Sequence, residues 1–164
     1  MAEINVGGIS EALNNKSDID LNNLNGTGAE KFDGEWTYLT NYIRIFEAVT
    51  PPVDGAVLTY DLSTYLPSDG AIYECFLNGM CFTGKQSGDT IGLFLATDLI
   101  PEPTTNFVVV CAIKTKTSSD LYNRSSSILA VGTGRTLILV GSTNNRNGNV
   151  TCDLIAYRRL GKTN

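Results

Sequence analysis

The stretch Gly79-Met80-Cys81-Phe82-Thr83-Gly84-Lys85-Gln86 nearly spells the phosphate-cradling loop GxxxxGK[ST]. Gln86 stands where a hydroxyl must reach magnesium, and no helical pattern follows to aim backbone amides at a phosphate. The glycines and lysine here therefore predict turns between strands. Asp18-Ile19-Asp20-Leu21-Asn22 likewise imitates the opening of a calcium loop, with oxygens at alternate positions. Asn23 replaces the sharp-turn glycine, Ala29 takes the place of the bidentate acid, and Glu30 falls one residue late. Alternating Asp and Asn also keep an extended segment soluble, and that is the reading we adopt.

The chain has no histidine, so Ser-His and Cys-His nucleophile pairs cannot be built. Glu30, Asp33, Glu35, Asp61, Glu74 and Asp98 are the carboxylates open to glycoside chemistry. They are scattered along the chain, as acids that face solvent are. Cys75, Cys81, Cys111 and Cys152 show no CxxC spacing, so a zinc site would need an unpatterned cluster of all the thiolates. Cys75 and Cys111 sit inside apolar strand patterns, where a thiol behaves as a small hydrophobe. These residues predict no enzyme, no cofactor and no metal.

Charge narrows the partners. A net charge of −5 and a pI near 4.6 argue against nucleic acid and against anionic membranes, both of which favour basic patches. The longest apolar runs, such as Phe107 to Ile113, stop far short of the roughly 20 residues of a membrane-crossing helix. Met1 to Asn5 shows neither a basic region nor an apolar stretch, so no secretory signal is expected and the chain should fold in a cytosol.

Two regions must position whatever chemistry remains. Residues 1–34 are polar and Asn-rich, dotted with Ile9, Leu13, Ile19, Leu21 and Leu24. Ile9 and Leu13 are spaced for a helical turn; around Asp18 to Leu21 the period is two, as in extended chain. Such a segment cannot bury its own aliphatics, so it must lie on further copies of itself or on a partner. Residues 35–164 read as a β-sandwich or jelly-roll-like domain: all-β, antiparallel, with eight or nine short strands. Trp36, Tyr38, Thr40 and Tyr42 alternate, then Ile43 and Ile45 continue on the other parity, which predicts a bulge. Further strands are expected at Ala56 to Asp61, Ala71 to Leu77, Met80 to Thr83, Thr90 to Thr97, Asn106 to Ile113, Ser127 to Val131, Thr136 to Val140 and Val150 to Tyr157.

Asn78-Gly79 predicts a two-residue hairpin turn, because both central positions of a type I′ turn take φ > 0. That turn pairs Leu77 with Met80, Phe76 with Cys81 and Cys75 with Phe82. It puts Cys75 and Cys81 on adjacent rungs and opposite faces, too divergent for a disulfide.

Several stretches resemble bacteriophage fibre subunits. Ala12-Leu13-Asn14-Asn15-Lys16-Ser17-Asp18-Ile19-Asp20-Leu21-Asn22-Asn23-Leu24, then Gly26-Thr27-Gly28-Ala29-Glu30-Lys31-Phe32, is similar to their leader pattern. Tyr73 to Gly79, Leu93 to Asp98 and Ala156 to Asn164 resemble the small β-domains that end head or tail fibres in phages of gut bacteria. The resemblance implies a homotrimer. It also implies a leader seated on another virion protein, and a distal domain able to touch a host surface. An Asn/Ser/Thr-rich surface can also hydrogen-bond sugars. Trp36, Tyr122 and Arg124 are candidate glycan contacts, and the second reading is a carbohydrate-binding module or lectin-like domain.

Overall fold

The computed structural model describes residues 34–83, 90–114, 121–141 and 148–162. The leader, with Ile9, Leu13, Ile19, Leu21 and Leu24, lies outside these residues, as do the calcium-loop imitation and the turn expected at Gly84 to Asp89.

Among the described residues eight strands make up the domain: β1 (Thr37–Val49), β2 (Val57–Asp61), β3 (Ala71–Thr83), β4 (Thr90–Thr97), β5 (Val108–Lys114), β6 (Leu121–Val131), β7 (Thr136–Val140) and β8 (Gly148–Lys162). One sheet has the order β1-β8-β3-β6 and the other β2-β7-β4-β5, all pairs antiparallel. The chain thus pairs as one long hairpin, β4 with β5 at its tip and then β3 with β6, β2 with β7 and β1 with β8. Rolled into two sheets, that hairpin is a jelly roll.

The core lies between the sheets, because each strand sends alternate side chains inward. Ala71, Tyr73, Cys75, Leu77 and Cys81 of β3 and Val150, Cys152 and Leu154 of β8 face Ile91, Leu93 and Leu95 of β4 and Leu137 and Leu139 of β7. A smaller cluster of Ala96, Ile138 and Val140 with Phe94 and Ile100 lies apart from it. There Phe94 meets Phe107 with ring centroids 5.2 Å apart.

β1 carries the expected bulge, with register shifts against β8 after Tyr38, Arg44 and Phe46. At the last of these Ala48 adopts φ 48°, and its N–H donates to Thr151 Oγ1 at 3.0 Å.

The hairpin at Asn78-Gly79 does not form. β3 runs unbroken from Ala71 to Thr83, and Asn78 pairs with Ser126 on one side and Asp153 on the other. Gly79 faces the core, where an added Cβ would overlap Leu93 Cδ2 and lie 2.8 Å from Val110 Cγ1. The glycine serves close approach of the sheets rather than a turn. The expected pairings of Leu77 with Met80, Phe76 with Cys81 and Cys75 with Phe82 fail with it. Cys75 and Cys81 stand on the same face of one strand, since they are an even number of positions apart, and both are buried. They are not bonded to each other: all the cysteines are free thiols. β6 also starts earlier than expected, at Leu121 instead of Ser127.

Burial pushes the Cys75 thiol up to about 12 and that of Cys152 higher still. Cys81 is raised by its hydrogen bond to Cys111 and then by burial. All the cysteines are buried, so the native protein at pH 8 should leave an aromatic disulfide reagent unconsumed over minutes, whereas guanidinium should release every thiol. Fast titration of native thiols would show that they do not lie in the core.

Candidate functional site

The outer face of the β1-β8-β3-β6 sheet carries a concave polar surface. Strand pairing builds it row by row. In one row Arg44 of β1 stands opposite Asp153 of β8, which stands opposite Asn78 of β3, which stands opposite Ser126 of β6. The next row joins Thr151, Met80 and Arg124, and the one beyond it pairs Phe82 with Tyr122. A second bulge, in β8, leaves Ile155 unmatched between Leu154 and Ala156 and tips it into the same hollow.

Two depressions share this face. One, of about 300 Å³, is lined by Tyr42, Arg44, Glu47, Asn78, Gly79, Met80, Arg124, Thr151, Asp153 and Ile155. The other, of about 610 Å³, is lined by Met80, Phe82, Tyr122 and Arg124.

Charges in the first depression are arranged around Arg44. Its Nε donates to Asp153 Oδ1 at 2.5 Å, its Nη1 to Glu47 Oε1 at 2.6 Å, and its guanidinium carbon lies 5.4 Å from the Tyr42 ring centroid. The bond to Asp153 raises the Arg44 pKa. Arg124 differs. Among the described residues its exposed guanidinium has no hydrogen-bond or ion-pair partner.

Sheet geometry brings together two of the three candidate glycan contacts. Tyr122 and Arg124, two residues apart on β6, share the outer face, and Tyr122 is 73% exposed. Trp36 is separate and occupied. It precedes β1, half-buried, with the Arg158 guanidinium 4.8 Å over its ring and Phe76 edge-on at 6.3 Å. Phe76 lies six residues before Phe82 on β3, roughly 20 Å along the strand. Trp36 therefore pins the chain to the sheet ahead of β1.

Of the scattered carboxylates, Asp98 has a structural post: it accepts from the Gly132 and Gly134 amides at 2.8 and 2.7 Å and closes the turn before β7. Glu74 pairs with Arg158 at 2.6 Å across β3 and β8, and Asp61 accepts from the Ser63 amide at 2.8 Å. Glu30 and Asp33 lie outside the described residues. Among the described residues no group of His, Cys, Asp or Glu is placed to hold a metal ion.

Sequence reasoning missed Tyr42, Arg44, Glu47, Asn78, Thr151 and Asp153. Asn78 reads locally as a turn residue, and the others gather only when β1, β8, β3 and β6 align. The alternation Tyr42, Arg44 on β1 was the available signal.

No family model matches the chain, and no curated protein matches it. Among solved structures the chain is similar to one described as a Nora virus structure, at 13% identity and a TM-score of 0.39, over 84% of this chain. The match spans 64% of that longer chain.

Proposed function

We propose that this chain is a structural virion appendage protein, a phage head or tail fibre subunit. Residues 1–33 anchor it to another virion protein, and the jelly roll stands exposed to contact host-surface glycans. The observation that supports this reading is the closed jelly roll: among the described residues two antiparallel sheets enclose one main core. On this reading Ile9, Leu13, Ile19, Leu21 and Leu24 make contacts with other chains. Burying each gives roughly 1 to 2 kcal/mol, and three copies around one axis cover all of them. The protein is then a homotrimer located in the virion and assembled in the bacterial host cytoplasm. The exposed groove at Tyr122 and Arg124 keeps the lectin-like reading as the second one.

Truncation separates the two. Full-length protein should scatter light as three times the 17.7 kDa of one chain and co-sediment with particles. The chain lacking residues 1–33 should keep a cooperative β melt and lose the particle. A full-length monomer, or a truncated chain that still joins virions, would remove the anchoring role.

A further inference from the structure

We infer that the groove around Arg124 binds a carboxylate-bearing saccharide. The inference rests on reading the domain as an exposed, surface-contacting module, and names the class of glycan it takes.

The two depressions meet at Met80 and Arg124, and their volumes of about 300 and 610 Å³ fall in the range of small-ligand sites. At the junction stands a guanidinium with no partner among the described residues, although Arg44 in the same hollow is held by Asp153 and Glu47. A guanidinium is a planar fork of donors that matches a carboxylate with two parallel hydrogen bonds. Beside it Tyr122 is 73% exposed and opposes half-buried Phe82. Their rings offer the negative π-faces against which the polarised C–H face of a pyranose packs. The polar hollow on the other side supplies half-buried Asn78, which donates to and accepts from sugar hydroxyls, above Thr151 and Asp153, which are buried and hold Ala48 and Arg44.

The same charges weigh against phosphate. Asp153 and Glu47 face into the hollow with Arg124, and the chain carries a net charge of −5, so a dianion or a polyanion meets repulsion. A single carboxylate flanked by hydroxyls matches the Arg124 guanidinium, unpartnered among the described residues and flanked by acceptors.

Calorimetry on the full-length protein tests this with matched probes: 3′-sialyllactose against lactose, and galacturonate against its methyl ester. In at least one pair the acid should bind about tenfold tighter or more than its neutral partner, as a charge-assisted hydrogen bond requires. Arg124→Gln should erase that preference with the melting temperature unchanged, since the side chain is exposed and unpartnered among the described residues. Tyr122→Ala should weaken acid and neutral sugar alike. Equal binding of acid and neutral sugars, no binding of any probe, or an acid preference that survives Arg124→Gln would overturn the inference. Each of those results leaves the virion reading standing where truncation at residue 33 abolishes particle attachment. Failure of that truncation test strikes the appendage reading instead.

Discussion

Arg135→Met should destabilise the domain by roughly 3 to 5 kcal/mol, far more than the loss of a surface ion pair. Arg135 is 4% exposed, and its terminal nitrogens donate chiefly to backbone, while Nε has no partner among the described residues. Nη1 donates to the Ala71 and Gly132 carbonyls at 2.7 and 2.8 Å, and Nη2 to the Pro67 carbonyl at 2.6 Å. The guanidinium carbon lies 4.8 Å from the Tyr73 ring centroid, and Asp69 Oδ1 is 3.5 Å from Nη2. The side chain thereby ties the turn before β7 to the start of β3 and to the loop that precedes it. Asp69 is part of the same junction. Its pKa falls to about 2, chiefly through the Ala71 amide and then through Arg159 and Tyr73. Methionine preserves the volume and removes the guanidinium from the Ala71 and Pro67 carbonyls, each at about 1 to 3 kcal/mol, less what water recovers, while the Gly132 carbonyl keeps the residue-135 amide at 3.2 Å. Arg135→Lys should restore only part, because an ammonium cannot span acceptors that a planar fork reaches. Urea unfolding should show a lower midpoint at unchanged slope. A loss below about 1 kcal/mol would mean that water replaces the guanidinium and that the junction is not closed.

Gly79→Val should cost roughly 2 to 4 kcal/mol, and Gly79→Ala clearly less. An added Cβ overlaps Leu93 Cδ2 and meets Val110 Cγ1 at 2.8 Å, and Leu93 is fully buried. Strand propensity alone would favour valine over glycine by up to about 1 kcal/mol, so the sign of the effect decides between local preference and packing. Size dependence is the discriminating readout. A hairpin glycine at φ > 0 would lose nearly as much to alanine as to valine, because the strain is in the backbone. A core-facing strand glycine loses in proportion to the atoms forced between the sheets. Thermal melts of both variants measure this, with the Gly79→Val midpoint falling on the order of 10 °C. Equal losses for the two, or a stabilised valine variant, would contradict the continuous β3.

The sequence alone determined the fold class, because it is written in alternation and punctuation. β3 follows a strict inward–outward alternation, β4 and β7 begin and end where their apolar runs do, and the parity switch at Ile43 is a bulge in β1. These are local signals, and in a sandwich with one buried face per sheet they are strongly enforced. Asn78-Gly79 was decided at long range. The dipeptide favours a turn locally, but Ser126 and Asp153 offer ladder partners on both sides, and the facing sheet leaves no room for a side chain at position 79. Pairings so distant in sequence cannot be read from the dipeptide itself. With the turn lost, Cys75 and Cys81 moved from opposite faces to one core, since side-chain direction follows from strand continuity. Tyr122 and Arg124 could be picked out by residue type. Which residues surround them, and that Trp36 is already engaged by Arg158 and Phe76, depended on four strands from the two ends and the middle of the domain lying side by side. Only the rolled hairpin brings β1 and β8 against β3 and β6, and so the tertiary structure alone made those residues one surface.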